Sequence, residues 1–314
     1  MRRIACIIVL GSLSILSIGA QPQVGQGPDW AFQRTEPDGP TSPEETGPVS
    51  TPDSAITYTR EQIGDLSNPP DWFPEENAPK PDIILRGHGA AFACGSCHLM
   101  SGLGHPESAD LAGLPSSYIV RQLEDFRSGV RLDFSRMNTI AAAMTDEEMR
   151  QAADWFSSLR PTPWNRVVET DTVPRTYVGE GRMRFAQPDG TTEPIGNRII
   201  TLPEDPARAR NRDPKSGFIA YVPPGTLARG EDLVRNGAGG RTIACTICHG
   251  DDLRGLADVP RLAGLHSIYL ARQLHLYQNG ERDGLGAELM DQPMEQLDDE
   301  DIVAISAYLG SLAP

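Results

Sequence analysis

The sequence predicts a mainly α protein made of two copies of one small helical domain, joined by a long, partly β-prone linker and preceded by an extended arm. Three observations carry this expectation. The two halves repeat one another at a spacing of 151 residues, since Cys245 follows Cys94 by that interval. The cysteines beyond the first twenty residues all fall into two short strings of one pattern. Helical periodicity is confined to the repeated segments, whereas the stretches outside them are rich in Pro, Gly and acidic residues or read as short β-prone runs.

The repeat can be followed residue by residue. Cys94, Cys97 and His98 map onto Cys245, Cys248 and His249, and Leu111-Ala-Gly-Leu114 maps onto Leu262-Ala-Gly-Leu265. Tyr118 maps onto Tyr269, Arg121-Gln122-Leu123 onto Arg272-Gln273-Leu274, and Gly129 and Arg131 onto Gly280 and Arg282. The register then slips by two residues, so that Met137 falls on Met290, Met144 on Leu297 and Trp155-Phe156 on Tyr308-Leu309. Agreement at so many positions implies a duplicated domain, with copies over residues 81–160 and 225–314. In the first copy, Tyr118, Leu123 and Phe126 sit near helical spacing within Ser116–Ser128, and Gly129 supplies the stop. Thr145-Asp-Glu-Glu148 has the pattern of a capping box, followed by a stripe of Met149, Ala152, Trp155, Phe156 and Leu159. The matching helix of the second copy carries Ile302, Ile305, Tyr308, Leu309 and Leu312. Residues 227–236 read as a further short helix, in which Gly230 would let another helix approach closely.

Residues 1–20 read as an export signal. Arg2 and Arg3 form its basic start, Ile4–Ala20 is apolar or small throughout, and cleavage is expected after Ala20. This places the mature protein in the periplasm and removes Cys6. The competing reading is an uncleaved membrane anchor, for which a run of about 17 residues is short. Residues 21–80 form a Pro-rich, acidic arm, extended over 21–54, with Trp30-Ala-Phe32 and Trp72-Phe73 as apolar anchors that wrap onto the helical domains or onto a partner. Residues 161–224 form the linker or a small β excursion. Its β-prone runs are 173–178, 182–185, 198–202 and 218–222, with Pro188-Asp-Gly190 as a turn. No nucleophile–base grouping is visible there, and the chain reads as an electron-transfer protein rather than an enzyme.

The formal net charge of -15 over 314 residues argues against nucleic acid, which needs clustered Lys and Arg. It fits docking onto a redox partner with a basic face. The two strings, Cys94-Gly-Ser-Cys97-His98 and Cys245-Thr-Ile-Cys248-His249, are C-x-x-C-H, the pattern by which c-type haem is attached. Two thiols at this spacing reach the two haem vinyl groups, and the following His takes the proximal position on iron. A thioredoxin-like pair would need a βαβ setting, and a zinc site would need the two pairs to converge; neither alternative requires the His. Two covalently bound haem c groups are therefore expected, held by Cys94, Cys97, Cys245 and Cys248, with His98 and His249 on iron. Met137 and Met290 occupy equivalent places ahead of an acidic helix start and are the expected sixth ligands. Met294 is the nearest competitor in the second half, and Met100 lies too close to His98 to reach the opposite face. His88, His105, His266 and His275 have no counterparts in the other half and read as surface or packing residues.

With these residues in place, the sequence resembles the class I dihaem cytochromes of the cytochrome c4 type. The resemblance lies in C-x-x-C-H, Pro260-Arg-Leu-Ala-Gly264, Tyr269-Leu-Ala-Arg-Gln273-Leu274 and the Met-then-acidic-helix ending, and covers residues 82–160 and 225–314. It implies two small all-α haem domains, His/Met ligation in each, and electron exchange with a periplasmic dehydrogenase or a membrane respiratory complex, as a free carrier or as a bound cytochrome subunit. A dihaem peroxidase is the enzymatic alternative, but an open iron site sits poorly with paired methionines. In such families a Pro carbonyl near Pro260 steadies the proximal His. The first copy departs here, with Ala109 and Asp110 in place of Pro260 and Arg261; Pro106 is the expected substitute, and the two haem potentials are expected to differ. The family's short interdomain link is replaced by residues 161–224, so close haem-to-haem packing does not carry over from the resemblance.

Overall fold

The computed structural model describes residues 27–33, 39, 47–77, 79–133 and 135–314. The expected export signal, its cleavage point and much of the first part of the arm lie outside the described residues. Among its described residues the arm carries one short helix, α1 (Arg60–Gly64), opened by a capping box between Thr59 and Gln62.

The first helical domain contains α2 (Asp82–Leu85), α3 (Gly95–His98), α4 (Ser116–Ser128), α5 (Met137–Ala143) and α6 (Asp146–Ser158). Gly129 ends α4 at φ 81°, its N–H returning to the carbonyls of Asp125 and Phe126; the left-handed turn costs glycine nothing. Thr145 and Glu148 cap α6 reciprocally. Ile119, Leu123 and Phe126 from α4 and Met149, Ala153 and Phe156 from α6 close one core with Ile83 and Ile84 of α2.

The linker holds β1 (Asn165–Glu169), β2 (Thr172–Pro174), β3 (Thr176–Val178), β4 (Arg184–Ala186), β5 (Thr192–Pro194), β6 (Ile200–Pro203), α7 (Pro206–Arg210) and β7 (Phe218–Val222). β7 lies between β1, which it meets in parallel, and β6, which it meets antiparallel. β2 pairs with β5 and β3 with β4, both antiparallel, around the turn at Pro188–Gly190. β1, β5 and α7 lie outside the four runs read from sequence. β1 becomes a strand by pairing with β7, from Asn165 opposite Phe218 to Glu169 opposite Val222, an arrangement with no local signature.

The second helical domain contains α8 (Thr226–Asn236), α9 (Thr246–His249), α10 (Ser267–Gln278), α11 (Asp291–Met294) and α12 (Asp299–Ser311). Asp298 caps α12 as Thr145 caps α6. At the crossing of α8 and α12, a Cβ on Gly230 would overlap the Ala304 carbonyl oxygen and lie 2.6 Å from Tyr308 Cβ, so the bare glycine backbone sets how closely the helices pack.

The linker is built into both domains. Trp164, Tyr177, Met183, Phe185 and Phe218 enter the first core, and Ile199, Ala220 and Val222 enter the second. The arm's anchors wrap onto the same chain. Phe32 and Ala31 pack on Leu276 of α10. Trp72, 2% exposed, donates its Nε1–H to Asn211 O at 2.8 Å, and Lys215 Nζ stands 3.5 Å from the Phe73 ring centre. The second pair thus docks on the linker rather than on a helical domain. The open carbonyl at the end of α7 gives the buried indole the acceptor it needs.

Candidate haem sites

Each helical domain carries an apolar cavity completed by side chains of the other, of about 170 Å³ in the first and about 270 Å³ in the second. Cys94, Cys97 and His98 line the first with Met137 and Met144, and Cys245, Cys248 and His249 line the second with Met290 and Met294. The structure thus brings together, in each half, every residue the sequence singles out there. All four cysteines are free. Burial pushes the Cys94 thiol up to about 12 and the Cys245 thiol up to about 11.

A one-turn helix positions each motif. Cys94 N–H donates to Ile83 O, and Cys245 N–H to Val234 O, at 3.0 and 2.9 Å. This anchors α3 to α2 and α9 to α8. The imidazoles are held from behind: His98 Nδ1 lies 2.8 Å from Ala109 O, and His249 Nδ1 lies 2.8 Å from Pro260 O. A carbonyl only accepts, so Nδ1 carries the proton and Nε2 keeps its lone pair. Burial lowers both imidazole pKa values against the opposing effect of these hydrogen bonds, which favours the neutral, ligating form. The expectation that Pro106 stands in for Pro260 is corrected: the carbonyl comes from Ala109, because the contact uses backbone and is indifferent to the side chain.

These residues fit a haem c group in each cavity: two thiols at the rim, an imidazole with a free lone pair, a thioether and an apolar lining. Among the described residues no cluster of three or more His, Cys, Asp or Glu could hold a bare metal ion. The four remaining histidines line neither cavity. His88 meets Glu148 at 2.7 Å near the surface and His105 meets Ser108 at 3.1 Å. His266 is buried against Leu103 O at 3.2 Å, and His275 is buried with its ring centre 6.1 Å from that of Phe32.

The sequence left the relation between the sites open, and the structure settles it. The cavities share a wall of Leu114, Tyr118, Gln122, Tyr269 and Gln273. This wall is arranged like a two-fold axis, with repeat-equivalent residues facing one another. Arg131 Nη2 donates to Gln273 Oε1 at 2.7 Å, and Arg282 Nη2 donates to Gln122 Oε1 at 2.9 Å. Arg131 and Arg282 also form an antiparallel bridge, with Leu132 N–H on Glu281 O at 2.7 Å and Asp283 N–H on Val130 O at 2.9 Å. Asp110 and Arg261, the pair at which the copies differ, meet as a buried ion pair at 2.9 Å. The departure from the repeat is therefore a complementary substitution at the interface. Sequence reasoning noted Gln122, Gln273, Arg131 and Arg282 as matches, and Asp110 and Arg261 as a departure, without giving them a role. The signal of the first four is a polar residue kept at the same place in both copies, on a helix otherwise bound to a core or just after it.

The chain is similar to known proteins over about 70% of its length. Residues 227–313 match the family model described as cytochrome c. The chain is 27% identical over 227 residues to the thiosulfate dehydrogenase electron acceptor of Stutzerimonas stutzeri, covering 71% of this chain and 80% of that protein. It is 26% identical over 234 residues to cytochrome c4 of Stutzerimonas stutzeri, covering 72% and 87%. Among solved structures, reduced recombinant cytochrome c4 from Pseudomonas stutzeri aligns with a TM-score of 0.46 at 23% identity, over 70% of this chain and 93% of that one. By its sequence matches the chain is homologous to c-type cytochromes, and no helix among its described residues is long and apolar enough to cross a membrane.

Proposed function

We propose that the chain is a periplasmic dihaem cytochrome that passes electrons between protein partners through two covalently held haem c groups, one in each helical domain. The observation that carries this reading is the pair of equivalent cavities, each with C-x-x-C-H at its rim, meeting across a single wall of side chains. Each bound haem would supply a one-electron couple at its iron. Cys94 and Cys97, and Cys245 and Cys248, would fix the groups in place, and His98 and His249, steadied by Ala109 O and Pro260 O, would offer Nε2 to them. Met137 and Met290 would hold the irons through their thioethers. A duplicated site needs ligands at equivalent places, and the alternatives lack that: Met144 corresponds to Leu297, and Met294 to Ala141. Gln122, Gln273, Arg131 and Arg282 hold the wall between the groups rigid and dry, which keeps reorganisation small as charge moves. One relative is named an electron acceptor of thiosulfate dehydrogenase, and a periplasmic dehydrogenase is accordingly the donor class proposed here.

The test is haem content and ligation of protein from a haem-maturing host. Two haems per chain are expected, both low-spin. Met137→Ala and Met290→Ala should each open one iron and abolish one sulfur-to-iron band, while Met294→Ala leaves both. Unchanged spectra in the first two variants would overturn the ligand assignment.

A further inference from the structure

The two sites are equivalent in sequence but not in cover. Residues 95–110, the first haem motif and the loop after it, contain no exposed residue, whereas eight positions of the counterpart 246–261 are exposed, Cys248 among them. At one matching position Ser96 is 4% exposed and Ile247 is 69% exposed. The cover over the first site comes from the linker and from α10. Trp164 Nε1 donates to Gly104 O at 3.2 Å, His266 Nε2 donates to Leu103 O at 3.2 Å, and Arg272 pairs with Glu107 at 2.8 Å.

The second site faces outward with apolar side chains. Ile247, Leu256, Leu285 and Leu289 are 69, 61, 78 and 73% exposed. They lie on the segments that frame the second cavity: the haem motif, the loop after it and the loop leading to Met290. Scattered exposed leucines need no explanation, but four around one cavity mouth do. The exposed charges in this stretch are Asp251, Asp252, Asp258, Asp283, Glu288, Asp291 and Glu295, against Arg254 alone.

We propose that the rim of the second haem site is the docking port of this protein, that the linker closes the first site to partners, and that the occupant is a redox protein whose contact face is apolar at its centre and ringed by Lys and Arg. The inference rests on the two-haem electron transfer proposed above. The acidic ring steers such a partner, and the leucines exclude water once it lands. The shared wall then lets one port serve both sites.

The probe is reduced mitochondrial cytochrome c, a lysine-ringed electron donor, mixed with the oxidised two-haem protein in a stopped-flow instrument at several salt concentrations. The wild type should react fast, with a rate that falls as salt rises. Leu285→Lys with Leu289→Lys should lower the rate about tenfold or more. Glu75→Lys on the arm, the same change of two charges at an exposed position that lines neither cavity, should alter it by less than about threefold. Equal rates in the double variant and the wild type, or an equal drop in Glu75→Lys, would overturn the port. Sedimentation gives a second route to that outcome: a wild-type dimer that the double variant dissociates would make this face a contact between copies. Dithionite separates the two levels of the argument. If it fails to reduce two haems per chain, the two-haem reading falls and the port with it; full reduction with an insensitive rate removes the port alone.

Discussion

Replacing Gly230 with alanine sets two effects against each other. On an open helix the change is favourable by about 1 kcal/mol, because glycine destabilises a helix interior by roughly that amount relative to alanine. Here the new methyl would stand 2.6 Å from Tyr308 Cβ and 2.7 Å from the Ala304 carbonyl carbon. These atoms belong to the backbone and first side-chain carbon of α12 and cannot rotate aside. Ordinary carbon–carbon contact is about 3.5 Å or more, so α8 must retreat from α12 by about 1 Å. Such overpacking costs about 1–3 kcal/mol. The cost falls at the upper end here, because Leu233 and Val234 of α8 and Ile302 and Ile305 of α12 share one core. The expected balance is a net loss of about 2 kcal/mol, seen as a lower urea midpoint by far-ultraviolet circular dichroism of the haem-loaded protein with an unchanged m-value. Gly64→Ala at the end of α1 is the control: an added Cβ there meets nothing within 4 Å, and the variant should match or slightly exceed the wild type. A Gly230→Ala protein as stable as the wild type would refute the reasoning that the bare backbone is needed for this crossing.

Two further outcomes follow from the interface. Burial pushes the Asp110 carboxyl up to about 6, in spite of Arg261 beside it. Between about pH 4 and 6 the folded chain therefore holds a proton that the unfolded chain has released. This group's contribution to stability is greatest below that window, falls by ~3 kcal/mol as pH rises through it, and is level above it. Asp110→Asn should flatten the wild-type dependence of urea midpoint on pH across that range, and matching slopes would rule out burial of Asp110 as its source. Arg272, 2% exposed, joins Glu107 and the carbonyls of Pro106 and Ala31. Arg272→Ala should cost about 3–5 kcal/mol by stranding the Glu107 carboxylate, and should speed proteolysis near Ala31; an unchanged cleavage rate would show that Arg272 does not pin the arm.

Several features were legible because their causes are local. Gly129 stops α4 and Thr145 starts α6 through contacts within four residues, so their spelling suffices. The C-x-x-C-H strings are likewise short-range chemistry, and the duplicated spacing tied two of them to two like domains. The arm was harder: Trp72 announced an anchor, but nothing near it named Asn211 O as its acceptor.

By itself, then, the sequence determined the repeated helical unit, the two C-x-x-C-H strings, the stop of α4 and the start of α6, since each depends on residues a few places apart. The tertiary structure alone decided what faces what. Asp110 against Arg261, and Arg131 against Gln273, join positions in opposite halves of the chain, and each reads as an ordinary surface polar residue until two copies are packed face to face. The same holds for β1, which pairs with β7 over the length of the linker, and for the cover that leaves Ser96 buried and its copy Ile247 exposed. Pairings of this kind are fixed by which arrangement of two whole domains buries the most apolar surface while leaving no buried charge alone, a condition on the folded molecule that no short stretch of sequence expresses.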